Sequence, residues 1–144
     1  MNEMLGNQFF LTRRFKEATI NFEKALLLNP SNNDVKKKLI ICYIQQNELA
    51  LALKLFTDLI ADDIDAIIKS DPDKDDCPCL QLITEIEKFP KKITESEKNT
   101  MLGILWLYCD RLKSQSYFNK LIEEEPSKVI YKSIANIINQ SIHN

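Results

Sequence analysis

Glycine is almost missing from this chain of 144 residues, which has only Gly6 and Gly103. Tight turns and phosphate-cradling loops need residues that tolerate positive φ angles, so this scarcity excludes folds that depend on many of them. Histidine is scarcer still, because His143, next to the C-terminal residue, is the only one. Since histidine is the usual general base and the usual partner of a nucleophile, the sequence predicts a helical protein that is not an enzyme.

An excess of either charge is also lacking, since 19 basic residues stand against 21 acidic ones and the net charge is −2. Duplex-binding domains concentrate lysine and arginine to displace counterions from phosphates, and this chain does not. Long apolar runs are missing too: none approaches the roughly 20 residues that cross a bilayer. We therefore expect another protein as the partner, and no nucleic acid, membrane or cofactor.

The four cysteines leave two readings open. Cys42 and Cys109 lie within apolar helical patterns, where buried free thiols are common, and this favours a cytoplasmic location. Cys77 and Cys79 flank a proline, and they suggest an alternative function as a zinc-binding or redox-sensing loop, although zinc sites usually pair cysteines at wider spacing. The alternating aspartates of 71–75 lack the glycine and glutamate that complete a calcium loop. No metal site is predicted, and Cys77 and Cys79 are the only metal candidates.

The most informative feature of the sequence is a repeat of side-chain size at an offset of 34 residues. The matching pairs are Leu5 with Leu39, Phe9 with Tyr43, Ala18 with Ala52, and Phe22 with Phe56. Small residues let neighbouring helices approach each other, and large ones fill the space between them. A helix hairpin built this way has an uncovered apolar side, which the next hairpin covers. The spacing therefore predicts stacked helix pairs.

Residues 1–32 resemble a tetratricopeptide repeat. The resemblance is carried by a leucine–glycine pair, two aromatics, two small residues and a closing proline, namely Leu5, Gly6, Phe9, Phe22, Ala18, Ala25 and Pro30. The chain departs from the family at Asn2, where tryptophan is common, and at Arg13, where glycine is common. The resemblance implies an all-α fold, a right-handed superhelix of antiparallel helix pairs.

We expect one domain over 1–144, in which a weaker second repeat at 33–66 follows the first. A polar loop and a short helix occupy 70–90, and Thr94 with Glu97 gives a capping-box signal for a helix at 95–110. A degenerate third repeat covers 95–126, with Ser114 in the place of Ala18. A capping helix at 127–142 carries an apolar stripe of Val129, Ile130, Ile134, Ile137 and Ile138. We expect Trp106 and Tyr108 to be core residues.

The resemblance implies a concave groove, lined by the first helix of each pair, that binds a peptide or helix of a partner protein. The implied lining is Glu3, Asn7, Phe10, Lys37, Lys38, Ile41 and Ile44. Exposed Phe10, Ile41 and Ile44 would anchor the partner, and the lysines would pair with its acidic groups. Two alternatives stay open: the C-terminal helices fill this groove, or a second copy occupies it and forms a homo-oligomer. Glu3 stands where chaperone-tail binders have lysine, so no such binding is expected.

Overall fold

The structure is a computed structural model that describes residues 1–70, 77–88 and 92–143, and within this part every regular element is a helix. The all-α class is thus confirmed. No helix in the described part is long and apolar enough to cross a membrane. The helices are α1 (Asn2–Leu11), α2 (Phe15–Leu28), α3 (Asn33–Gln45), α4 (Leu49–Asp63), α5 (Asp65–Ile68), α6 (Cys79–Lys88), α7 (Glu95–Trp106), α8 (Arg111–Glu124) and α9 (Val129–His143).

The chain separates into two compact units, Met1–Leu59 and Ile60–Asn144, which we call unit 1 and unit 2. In unit 1, α1 packs on α2 and α2 packs on α3. In unit 2, α6 packs on α7, α7 on α8, and α8 on α9. These helices therefore pack mainly on their neighbours along the chain.

Helices α1 and α2 meet where a glycine faces an aromatic ring. A Cβ atom placed on Gly6 would lie 2.5 Å from two ring carbons of Phe22, so only glycine fits there without movement of the ring. Ala18 and Phe22 are completely buried. Leu5 remains 37% exposed and Phe9 is half-buried. Ala18 and Phe22 of α2 are therefore more deeply buried than the two residues of α1.

The turns of unit 1 reproduce the 34-residue offset in the backbone. Arg13 and Asn47 both have φ of 62°, in the left-handed region. Arg14 N–H donates to the Phe9 carbonyl at 2.8 Å, and Glu48 N–H donates to the Tyr43 carbonyl at 2.8 Å. The left-handed residue and the hydrogen bond both recur after 34 residues. The sequence repeat thus has a conformational counterpart, and Arg13 adopts a left-handed conformation that glycine adopts readily.

Unit 2 contains a second glycine–aromatic contact. A Cβ atom on Gly103 would lie 2.9 Å from the ring of Phe118, which is completely buried. Ser114 is also completely buried, and its hydroxyl donates to the Gly103 carbonyl at 2.6 Å. A serine can replace alanine here because this hydrogen bond satisfies its buried polar atom. The sequence pattern placed Ser114 and Phe118 in the third repeat, but it missed the part played by Gly103.

The helix boundaries in unit 2 depend on two side-chain caps. The Thr94 hydroxyl accepts from Glu97 N–H at 3.0 Å, and the Glu97 carboxylate accepts from Thr94 N–H at 3.2 Å, which confirms the predicted capping box. The Asp110 carboxylate accepts from the N–H groups of Leu112 and Lys113. An N-cap residue has non-helical backbone angles. The predicted helix at 95–110 is therefore wrong at its end, since α7 stops at Trp106.

The last helix, α9, lies close to the predicted capping helix but buries a slightly different face. Its buried residues are Tyr131, Ile134, Ala135 and Ile138. Val129 is 70% exposed, so its predicted place in the apolar stripe is wrong. Val129 is the first residue of the helix, whereas the ring of Tyr131 packs 6.4 Å from that of Phe118. The core contact thus begins two residues later than the pattern indicated.

Candidate functional site

The three predicted apolar anchors of the concave groove are buried. Phe10, Ile41 and Ile44 are at most 2% exposed, so the expectation that they face solvent is wrong. The Phe10 ring contacts the rings of Phe15 and Phe22, with centroids 5.9 and 6.2 Å apart. Residues 39–44 of α3 are all buried. The three side chains therefore belong to the core.

The predicted polar contacts of the same groove bond to one another within unit 1. Lys38 donates to the Asn7 side-chain oxygen at 2.9 Å and to Asp34 at 3.1 Å. Asn32, the N-cap of α3, donates to Glu3 at 2.8 Å. These bonds tie α1 to the start of α3, which gives them a structural role. A role in binding a partner stays a prediction for Glu3, Asn7, Lys37 and Lys38.

A surface groove of about 300 Å³ lies on another face of unit 1. Helices α2 and α4 form its sides and α3 forms its floor. The lining is mostly apolar, with three charged residues at the rim: Leu26, Leu27, Leu39, Leu51, Leu55 and Tyr43, with Glu23, Lys54 and Asp58. We call this surface the leucine groove.

Helical spacing explains how the leucine groove forms. Residues 51, 54, 55 and 58 recur at the spacing that places side chains on one face of α4, and residues 23, 26 and 27 do the same on α2. Leu27 is 83% exposed and Leu51 is 47% exposed, although both are large and apolar. Clustered exposure of this kind marks surfaces that bind other molecules. The groove is therefore a candidate binding site.

One hydrogen bond fixes the charge at this groove. The Tyr43 hydroxyl donates to the Glu23 carboxylate at 2.6 Å. Burial, followed by this bond to Glu23, raises the pKa of Tyr43 far above its usual value. The phenol is therefore neutral, and the charged lining consists of Glu23, Asp58 and Lys54, with a sum of −1.

A second surface groove, of about 520 Å³, lies in unit 2 between α6 and α8, and Trp106 of α7 contributes to its lining. Four residues come from each flanking helix at the one-face spacing of i, i+3, i+4 and i+7. They are Leu80, Ile83, Thr84 and Glu87 from α6, and Lys113, Ser116, Tyr117 and Lys120 from α8. We call this surface the lysine groove.

Two lysines lie over aromatic rings in the lysine groove. Lys113 Nζ is 4.2 Å from the centroid of the Trp106 ring, and Lys120 Nζ is 5.5 Å from that of Tyr117. Burial raises the pKa of Tyr117, and the nearby Glu87 carboxylate raises it further. The charged lining is Lys113, Lys120 and Glu87, with a sum of +1.

The two grooves have the same construction. The leucine groove has α2 and α4 at its sides and α3 at its floor. The lysine groove has α6 and α8 at its sides and α7 at its floor. Sequence reasoning missed both because it placed the binding surface on the first helix of each pair. It also placed Trp106 in the core, whereas the structure leaves it half-buried beside the lysine groove. The prediction that Tyr108 is a core residue is confirmed, at 3% exposure.

The cysteines fall into three environments. Cys42 is a buried thiol, and burial raises its pKa to about 12. Cys109 is an exposed thiol in the turn after α7, so its expected burial is wrong. Cys77 and Cys79 form a disulfide. The described residues contain no group of three potential metal ligands, and the aspartates of the candidate calcium loop lie outside the described residues.

These environments predict an order of reaction with iodoacetamide at pH 8, read out by peptide mass spectrometry. In the native protein without reductant, Cys109 should be alkylated first. Cys42 should react only after unfolding, because burial excludes the reagent and keeps the thiol protonated. Cys77 and Cys79 should react only after reduction. Alkylation of all four cysteines in denaturant without reductant would contradict the disulfide, and native-state labelling of Cys42 would contradict its burial.

Comparison of the chain with protein-family models, with curated proteins and with solved structures finds no match. The geometry of the two grooves is therefore the observation from which a function is inferred.

Proposed function

We propose that this chain is a protein-binding adaptor of the tetratricopeptide type, arranged as a right-handed superhelix of antiparallel helix pairs. Three observations support the repeat. The left-handed turns at Arg13 and Asn47 are 34 residues apart, the Gly6–Phe22 and Gly103–Phe118 contacts recur, and each groove is built from three consecutive helices. The cytoplasmic location remains part of this proposal.

The observation that carries the function is the leucine groove. Burying a leucine side chain in an apolar site contributes about 1.5–3 kcal/mol relative to leaving it in water. The groove offers such a site between Leu27 and Leu51, both of which are exposed without a partner molecule. A leucine-bearing segment of another protein is the occupant that this lining fits.

The rim charge selects the flanks of that segment. Glu23 and Asp58 outnumber Lys54 at the groove, so lysine or arginine beside the apolar anchors is favoured. A helical partner segment would present both types of residue by placing leucines on one face and basic residues at its edges. We therefore assign the leucine groove to a basic, leucine-bearing amphipathic helix.

A direct test uses a labelled synthetic helix with leucines at positions i, i+3, i+4 and i+7 and lysines at the edges of that face. Fluorescence anisotropy should show saturable binding to the native protein. Leu27→Asp should weaken it at least tenfold, because the substitution places a charge within the apolar lining. The matched control is Leu112→Asp, which changes a leucine that is also well exposed but lies outside the lining of both grooves.

Two outcomes would overturn this proposal. Equal loss of affinity in Leu27→Asp and Leu112→Asp, with both variants folded by circular dichroism, would show that the peptide does not bind at the leucine groove. Equal binding of a peptide with the same composition but scrambled leucines would show that charge alone drives association. Asp58→Lys provides a further check, since it should lower the affinity for the basic synthetic helix and leave the helical content of the protein unchanged.

A redox-sensing loop is a second candidate, favoured by the Cys77–Cys79 disulfide at the start of α6. Cys79 is completely buried as the first residue of this helix. Reduction would release the link between Cys77 and the helix and make both sulfurs potential metal ligands. The cysteine mapping described above, repeated after exposure to glutathione buffers, tests whether the bond responds in the physiological range.

A further inference from the structure

We propose that the lysine groove is a second binding site, separate from the leucine groove, and that it binds an acidic amphipathic helix of a partner protein. Lys113 and Lys120 are seven residues apart on α8, so their stems project from the same face two turns apart. Both residues are exposed. Neither makes an ion pair of 4.0 Å or less among those identified in the described part of the chain. Two carboxylates at matching helical spacing would pair with both.

The apolar part of the lining indicates a polypeptide rather than a small anion. Leu80 is 53% exposed, and it lies in the lining with Ile83 and Trp106. Inorganic phosphate would leave this surface in water, whereas leucines on a helix would cover it. The four contributing residues of each flanking helix span about 10 Å along its axis. That length matches two turns of a docked helix.

The spacing of the two lysines indicates the arrangement of charge on the partner. Lys113 and Lys120 are seven residues apart on α8, so their Cα atoms are about 10 Å apart along the helix axis. Two separate carboxylates on a helix can reach both lysines, whereas one small anion fits beside only one of them. Ser116 and Tyr117 lie between the lysines in the lining and supply hydroxyl groups for hydrogen bonds. The Glu87 carboxylate lies in the same lining, so the acidic groups of the partner are expected on the α8 side of the groove.

Trp106 is the only tryptophan in the chain, so the groove contains its own reporter. The probe is an acetylated and amidated helix without tryptophan, with glutamates at i and i+7 and leucines at i+3 and i+4. Its titration should change the emission of Trp106 saturably, because a carboxylate that pairs with Lys113 disturbs the cation–π contact with Trp106. Raising the salt concentration from 0.05 to 0.5 M should weaken binding.

Charge reversal of the two lysines supplies the decisive comparison. Lys113→Glu/Lys120→Glu should lower the affinity for the acidic probe at least tenfold. The control Lys16→Glu/Lys24→Glu has the same net charge and should bind the probe with unchanged affinity. Lys16 and Lys24 are exposed on α2, outside the lining of both grooves. Because the loss of Lys113 alters Trp106 emission by itself, these variants are compared by anisotropy of a labelled probe. Circular dichroism checks that they are folded.

Three results would overturn the inference. The first is an equal loss of affinity for the acidic probe in the two double variants, and the second is unchanged affinity when glutamine replaces glutamate in the probe. The third is displacement of the probe by millimolar inorganic phosphate. This inference does not depend on peptide binding at the leucine groove, since Leu27→Asp should leave the binding of the acidic probe unchanged. The two proposed binding sites can therefore be tested independently of each other.

Discussion

Replacing Phe22 with alanine should lower the free energy of unfolding by about 3–5 kcal/mol, as measured by urea denaturation followed by circular dichroism. The Phe22 ring is completely buried, faces Gly6 and lies beside the Phe10 ring. Its removal would leave a cavity between α1 and α2 that the glycine cannot fill. Because natural domains are stable by only about 5–15 kcal/mol, this single change would remove much of the total.

Phe118→Ala in unit 2 should have an effect of the same size, since its ring is completely buried against Gly103. Leu28→Ala is the control because Leu28 is 80% exposed, and it should change stability by less than about 0.5 kcal/mol. A loss in Phe22→Ala no larger than that in Leu28→Ala would show that the Gly6–Phe22 contact does not hold the first two helices together.

Replacing Gly6 with alanine should destabilise the protein by about 1–3 kcal/mol, although alanine is the better helix former by about 1 kcal/mol. The new methyl group would lie 2.5 Å from ring carbons of a fully buried phenylalanine. The ring would have to move, and the surrounding core leaves little room. Steric overlap therefore outweighs helix propensity at this position, and urea denaturation measures the sign.

Gly103→Ala is the matched comparison, because its Cβ atom would lie 2.9 Å from the nearest ring carbon of Phe118. We expect destabilisation here too, but less of it. The double variant Gly6→Ala/Phe22→Leu should be more stable than the sum of the single changes predicts, since the smaller side chain makes room for the methyl group. A Gly6→Ala variant more stable than the native protein would contradict the close approach.

Sequence reasoning recovered the features that depend on neighbouring residues. The capping box at Thr94 needs only four consecutive residues, and the helices of unit 1 follow from residues spaced three and four apart. Local propensity and periodicity are sufficient for these features because each is decided within one helix or one turn.

Burial in unit 1 could not be obtained in the same way. The six consecutive buried residues at 39–44 give this stretch of α3 no polar face, so periodicity alone does not show which of its sides meets solvent. Ile41 and Ile44 were therefore assigned to an exposed surface by the resemblance, although the structure buries them. The grooves were missed for a related reason, since each combines three helices whose contributing residues are about 35–40 positions apart at the extremes.

The distribution of positive φ angles shows where this chain can still change. Its two glycines are held in helix interfaces, where a side chain would collide with a ring. Arg13 and Asn47 meanwhile occupy turn conformations that glycine adopts without cost. Sequence drift toward glycine at those turns would relieve backbone strain, while drift away from it at Gly6 or Gly103 would create steric strain. Glycine is therefore expected to be tolerated at the two turns, whereas a larger residue is not expected to be tolerated at the two helix interfaces.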